Sequence, residues 1–293
     1  GSNKCGTTSL FRYLGHHPNI KFSKVKESLF FMHNNLKSIS YNDYLMCFPN
    51  NFNHNDFLLE ASPQYLYSSQ SVINRIKSVV PDVHLIFMLR DPTERFLSAY
   101  RSQKNKKGWL AADLRFDQFV NLALELDESI NINHNVQEIC RYELDVGDYY
   151  TNLKQYFAEF SSKNISIVFF DHFKENPKKC LTSICDSLGL ESELYDNFDF
   201  SIENKTRTHR SNILRAFAQN FNEKFEFLLN NFPIIRKIGR KIYDGINTHD
   251  VSLINDEVSI NRVNLFYKDK NLLLKTFLAK EIESLNFPSW LEK

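Results

Sequence analysis

Apolar positions along this chain change period again and again. Over residues 7–15, Leu10, Phe11 and Leu14 share one helical face, and Gly15 and Pro18 end the run. Residues 69–80 carry Val72, Ile73, Ile76 and Val79 as a second stripe, ended by Pro81. Residues 84–89, His-Leu-Ile-Phe-Met-Leu, are instead a continuous apolar run of strand length, the pattern of a parallel strand buried on both faces. Arg90-Asp91-Pro92 closes it, and Pro92 suits the first turn of a new helix. Residues 165–170 repeat the strand pattern, followed by Asp171 and a helix over 177–188; residues 58–60 are a shorter strand candidate. Further helices are predicted over 213–229 and 272–285. Strands alternating with helices predict an α/β fold: a P-loop-like parallel sheet flanked by helices on both faces, with a helical C-terminal third. No repeat, linker or shift in composition divides the chain, so residues 1–293 are expected to form a single domain.

Composition narrows the partners. Apolar residues make up 42% of the 293, with 26 phenylalanines, which is ample for a packed core. The formal net charge of +1 gives no bulk attraction to nucleic acid or to an anionic membrane, so an anion site has to come from local clustering. No apolar run approaches the ~18 residues of a membrane span. The five cysteines lack metal-ligand spacing; Cys180 and Cys185 are expected as free thiols in the core, and no metal site is expected. The chain opens directly on a glycine-flanked loop. A strand normally feeds such a loop, so that strand and any targeting segment are expected to lie outside this sequence. A cytoplasmic location is expected, or the Golgi lumen if an N-terminal anchor precedes the chain.

That opening, Gly-Ser-Asn-Lys-Cys-Gly-Thr-Thr, nearly fits the phosphate-loop pattern G-x-x-x-x-G-K-[ST] through Gly1, Gly6 and Thr8. Position 7 is Thr, however, and the lysine sits inside the loop as Lys4. A loop leading into a helix near Thr7 gathers backbone amides and the positive end of the helix dipole, and the threonines offer hydroxyl donors or an N-cap. Metal-assisted phosphoryl transfer needs the lysine after the second glycine. A sulfuryl group carries less charge, and Lys4 can lie across the oxygen that bridges it to a 5′-phosphate, where charge develops in the transition state.

Lys4-Cys5-Gly6-Thr7-Thr8-Ser9-Leu10, with Tyr13-Leu14 and His17-Pro18, closely resembles the 5′-phosphosulfate loop of sulfotransferases that use 3′-phosphoadenosine 5′-phosphosulfate (PAPS). A second block, Arg90-Asp91-Pro92-Thr93-Glu94-Arg95-Phe96-Leu97-Ser98-Ala99-Tyr100, resembles the family's 3′-phosphate signature R-[DN]-P-x-x-R-x-x-S-x-Y. Arg90 falls at the C-terminal edge of a predicted strand, where ligands bind in open α/β sheets, and a guanidinium can grip a phosphate bidentately. Ser98 follows about two helical turns later. The bland alternative is a surface arginine paired with Asp91 or Glu94. The resemblance implies that Lys4, Cys5, Gly6, Thr7, Thr8 and Ser9 hold the 5′-phosphosulfate, that Arg90 and Ser98 hold the 3′-phosphate, and that no metal is required.

On the acceptor side, Lys26-Glu27-Ser28-Leu29-Phe30-Phe31 resembles the K-E-x-x-[FY]-F segment of carbohydrate-type sulfotransferases, including the heparan sulfate enzymes. It implies Glu27 as general base, with Phe30 and Phe31 drying its surroundings; a solvated glutamate beside Lys24 and Lys26 is the alternative. His33 is the second candidate base, because cytosolic small-molecule sulfotransferases use a histidine. His17, next to Pro18, is expected to cap or pack. Glu60-Ala61-Ser62-Pro63-Gln64-Tyr65 resembles the E-K-[ST]-P-x-Y block, with Ala61 in place of its lysine, a departure from the glycosaminoglycan pattern. Glu60, Phe31 and Tyr65 are the implied acceptor-binding residues. The basic stretch 204–211 resembles a late loop that closes over the nucleotide's phosphates, with Arg210 and Ser211 as its contacts. Lys104, Lys106 and Lys107 form either a rim for an acidic substrate or plain surface. Residues 145–160 and 169–177 and the tail with Ser289-Trp290 resemble structural segments of the family.

The expected activity is in-line sulfuryl transfer from PAPS to a carbohydrate hydroxyl or amine, releasing 3′-phosphoadenosine 5′-phosphate (PAP), with no nucleic-acid partner. A small lipid or natural-product hydroxyl, with a histidine base, is a second acceptor class. Two rivals stay open: a P-loop phosphotransferase, with Asp171 as its acidic metal ligand, and a nucleotide-binding module without catalysis.

Overall fold

The computed structural model describes residues 2–32, 39–105, 114–124, 134–200, 207–209, 248–250 and 256–292. Helix α1 (Thr7–Leu14) buries Leu10, Phe11 and Leu14, the stripe read from the sequence, and Tyr13 as well. Strand β1 (Ile20–Phe22), helix α2 (Tyr41–Leu45) and strand β2 (Phe57–Leu59) follow. Helix α3 (Gln70–Val79) buries Val72, Ile73, Ile76 and Val79. Strand β3 (Leu85–Leu89) leads into α4 (Pro92–Asn105), and α5 (Phe116–Leu124), α6 (His134–Asp145) and α7 (Tyr149–Glu159) continue the chain. Strand β4 (Ile165–Phe169) passes directly into a short helix, α8 (Phe170–Glu175), where the sequence pattern gives only a turn; α9 (Pro177–Leu188) matches its predicted bounds. Strands β5 (Arg207–His209) and β6 (Thr248–Asp250) precede α10 (Glu257–Glu281), which starts well before the predicted 272 because Asp256 caps it by accepting from the Ser259 amide. The helix predicted over 213–229 lies outside the described residues.

Among the described residues, β1 to β4 pair in parallel, as two separate two-stranded ladders. β1 lies beside β2 with Ile20 opposite Phe57, and β3 beside β4 with Leu85 opposite Ile165; β5 and β6 pair antiparallel. Alternation along β3–β4 explains its burial. Phe87, Leu89, Ile165 and Phe169 pack with α3, α7, the Leu274–Leu278 turn of α10 and Trp290. Met88 and Val168 face the other way, onto Leu10 and Leu14 of α1 and Leu181 and Cys185 of α9. A third cluster joins α4, α5 and α6 to Val263 and Tyr267 of α10. The five cysteines are free thiols, with Cys185 buried and Cys180 half-buried. The tail is tied down by Trp290, whose indole N–H donates to Asp171 Oδ2 at 3.2 Å.

Candidate active site

The site grows from three chain segments that meet at the C-terminal ends of β3 and β4. The first is the loop before α1. The Ser2 amide donates to the Met88 carbonyl at 3.1 Å, which anchors the loop to β3. The backbone then enters the left-handed region twice, at Lys4 (φ 66°) and Gly6 (φ 85°). Gly6 has two reasons to be glycine: its φ, and the ring of Phe170, whose carbons would lie 2.9 Å from an added Cβ. Gly6 also caps α1 through its carbonyl, which takes the Ser9 and Leu10 amides, and no side chain caps the helix. The threonine hydroxyls are therefore not spent as an N-cap. Thr7, Thr8 and Ser9 line a cavity of about 620 Å³ instead, together with Lys4, Gly6 and, among residues of the other segments, Glu27, Arg90 and Ser98.

Cys5 departs from its expected role as a contact. Its side chain is fully buried, with Sγ 3.8 Å from the Tyr149 hydroxyl, and burial pushes the thiol pKa up. Only its backbone is left to meet a ligand.

The second segment is the turn after β3. Arg90 donates to the Lys4 carbonyl at 3.3 Å and to Glu94 at 3.2 Å, and its guanidinium lies 4.9 Å from the centre of the Phe170 ring. The surface pairing raised as the alternative for Arg90 is thus present, but Glu94 is more than half exposed, and such a pair contributes little and yields readily to a bound anion. Asp91 accepts the Thr93 and Glu94 amides at 2.9 and 3.3 Å, so it caps α4; burial raises its pKa. Behind Ser98 lies a buried network. Arg95, fully buried, donates to Glu143 Oε2 at 3.0 Å and to Asn3 Oδ1 at 3.3 Å, and Gln103 donates to Glu143 Oε1 at 2.6 Å. Asn3, Gln103 and Glu143 all reach the cavity wall.

The third segment carries Glu27. Its φ is 63°, its amide donates to the Ala61 carbonyl at 3.1 Å, and its carboxylate sits 2.6 Å from Lys26 Nζ. Phe30 and Phe31 do not dry it as expected. They pack against Tyr44, with Phe31 also against Tyr65, and the Glu27 side chain stays 41% exposed. The three expected acceptor contacts lie elsewhere as well. Glu60, Phe31 and Tyr65 line a neighbouring cavity of about 160 Å³, which shares Thr7 and Pro63 with the larger one. Glu60 instead braces the Glu27 loop: it accepts from Ser28 Oγ at 2.9 Å and from Ser62, whose own hydroxyl takes the Leu29 amide at 3.1 Å. Burial raises the Glu60 pKa, partly offset by those two hydroxyls.

His17 is buried and caps, taking the Asn19 amide on Nδ1 at 3.1 Å while Nε2 meets the Glu191 carbonyl at 3.0 Å. His33, Lys106, Lys107, Arg210 and Ser211 lie outside the described residues. Sequence reasoning missed Asn3, Gln64, Gln103, Glu143, Phe170 and Lys174 as cavity residues. Phe170 had a readable signal, since it follows a buried strand as Arg90 does. Glu143 had none, because its partner stands 48 positions away. Among the described residues no group of three or more His, Cys, Asp or Glu is arranged to hold a metal ion, and no helix is long and apolar enough to cross a membrane.

Comparison with known proteins gives matches of three kinds. The family described as "Sulfotransferase domain" matches residues 1–228. The mouse protein "Bifunctional heparan sulfate N-deacetylase/N-sulfotransferase 4" is 28% identical over 199 residues, covering 65% of this chain and 22% of that protein. Human "Bifunctional heparan sulfate N-deacetylase/N-sulfotransferase 2" is 26% identical over 300 residues, covering 100% of this chain and 30% of that protein. The chain therefore spans less than a third of the length of these curated relatives. The crystal structure of a sulfotransferase from Alicyclobacillus acidocaldarius shares the fold, with a TM-score of 0.54 at 24% identity, covering 78% of this chain and 92% of the other.

Proposed function

Because this chain belongs to the sulfotransferase domain family, we propose that it moves a sulfuryl group from PAPS to a hydroxyl or amine of a carbohydrate acceptor. The observation that carries this reading is that one cavity joins the Lys4–Ser9 loop to Arg90 and Ser98. Lys4, Arg90 and Lys174, with the hydroxyls of Thr7, Thr8, Ser9, Ser98 and Ser102, around a single space suit a compound with anions on two sides, so the residues present fit PAPS. Lys4, the Gly6 turn, Thr7, Thr8 and Ser9 would hold the 5′ side, and Arg90 and Ser98 the 3′-phosphate.

When bound, PAPS supplies the sulfuryl group. Lys4 then neutralises charge gathering on the leaving phosphate oxygen as the sulfur–oxygen bond breaks. Glu27 takes the proton that the acceptor's O–H or N–H loses as its bond to sulfur forms, provided the Lys26 pair opens on acceptor binding. The names of the relatives support a carbohydrate amine or hydroxyl as acceptor. Ala61, where the family block has lysine, supports a small lipid or natural-product hydroxyl as a second reading.

Two measurements test the proposal. PAP should bind the purified protein in calorimetry, and label from PAPS should pass to N-deacetylated heparan sulfate or to another member of an acceptor panel, with chelator present. Failure to retain either nucleotide would sink it. An activity abolished by chelator would move the assignment to phosphoryl transfer, and nucleotide binding without turnover on any acceptor would leave a binding module.

A further inference from the structure

Among the described residues, the buried network behind Ser98 leaves two side-chain atoms without a partner, Arg95 Nε and Gln103 Oε1, and of these two residues only Gln103 lines the large cavity. Gln103 is 5% exposed and lines the large cavity. Its Nε2 donates to Glu143 Oε1 at 2.6 Å. A carboxylate can only accept there, so the orientation of the amide is fixed, and its carbonyl Oε1 is the free end. That oxygen is buried and has no partner among the described residues. Glu143 cannot relieve it, because a carboxylate has no donor to offer; its other oxygen accepts from the fully buried Arg95 at 3.0 Å, and Arg95 in turn donates to Asn3 Oδ1 at 3.3 Å.

We propose that Gln103 is a ligand-binding residue whose Oε1 accepts a hydrogen bond from a hydroxyl or amino group of the bound molecule; this rests on the nucleotide site proposed above. Buried polar groups are almost always paired, and an oriented orphan in a cavity wall is paired by what enters the cavity. The required partner is an O–H or N–H donor. Ionised phosphate and sulfate carry none, so the anionic ends of the nucleotide are not what Gln103 meets. The donor is either the ribose 2′-hydroxyl or adenine amino group of the nucleotide, or a hydroxyl or amine of the acceptor. Ser98 and Ser102, on the same helix α4, bring two further hydroxyls to this wall.

The experiment deletes the contact from both sides. Wild type, Gln103→Leu and Gln103→Lys are titrated with PAP and with analogues lacking the 2′-hydroxyl or the 6-amino group, and thermal midpoints are measured in parallel. Lysine keeps a donor for Glu143 and has no carbonyl, and its added charge acts alike on PAP and on the uncharged-group analogues, so it serves for the nucleotide comparison if the leucine variant does not fold. If the nucleotide is the source, wild type loses about tenfold in affinity for one analogue, and the variants do not distinguish that analogue from PAP. If the acceptor is the source, all nucleotides bind the variants as they bind wild type, and KM for N-deacetylated heparan sulfate or the panel's accepted compound rises about tenfold at unchanged KM for PAPS. A folded variant that keeps wild-type nucleotide discrimination and wild-type acceptor KM overturns the assignment of Gln103 alone. Wild type that does not bind PAP overturns the nucleotide site itself.

Discussion

Lys4 holds a backbone conformation that suits glycine while carrying the cationic side chain that the proposed 5′ site uses. A left-handed φ of 66° costs a non-glycine residue of order 1 kcal/mol, a strain typical of functional positions. Two variants separate the strain from the chemistry. Lys4→Gly should unfold at higher urea than Lys4→Ala, by about 1 kcal/mol, because it relieves the strain. Both should lose on the order of 10²-fold or more in kcat while PAP affinity falls only a few-fold. Equal losses of turnover and affinity would make Lys4 a binding residue only. Glu60 gives a pH signature. Its folded pKa lies above the ordinary 4.5, so the folded state holds the proton more tightly than the unfolded chain does. That contribution is complete below about pH 4.5 and is lost as pH rises through the folded value. Glu60→Gln should therefore remove part of the fall in thermal midpoint between pH 4.5 and neutrality. An unchanged slope would place the titration elsewhere.

Among the elements, the helices whose stripes face the core were readable. α3 and α9 came within a residue of their predicted bounds because proline, asparagine or glycine marks their ends: Asn176 caps α9 by taking the Lys179 amide, and Gly189 closes it in the left-handed region. The cation positions of the site were readable too, since Lys4 and Arg90 sit in local patterns. What escaped was long-range pairing. Nothing near Arg95 names Glu143, and nothing near Glu60 shows that it serves Ser28 and Ser62 and not the cavity. Asp148 is another case. Locally it caps α7 through the Thr151 amide, at 3.2 Å, and only the fold adds Lys270 of α10 to the same carboxylate. Asp148→Ala should thus cost more than the ~1 kcal/mol of an ordinary cap, whereas Asp148→Asn keeps the cap and loses only the ionic tie. Equal destabilisation of the two in urea would mean that the cap contributes nothing.

At the scale of the whole molecule, Arg95 and Glu143 join the N-terminal loop, α4 and α6 through a buried ion pair. Removing one charge strands the other, so Arg95→Met should destabilise the protein by roughly 3–5 kcal/mol, while Arg95→Met combined with Glu143→Leu should recover most of that loss. A double variant no more stable than the single one would show that the pair itself stabilises the fold. Phe170 has a wider consequence. One face of its ring lies under the Arg90 guanidinium, and ring carbons press on Gly6. The girth of a single phenyl group therefore sets the gap between the two jaws of the pocket. Arg90 and the Gly6 turn are held apart by that one ring, as the setting screw of a pair of callipers fixes its opening.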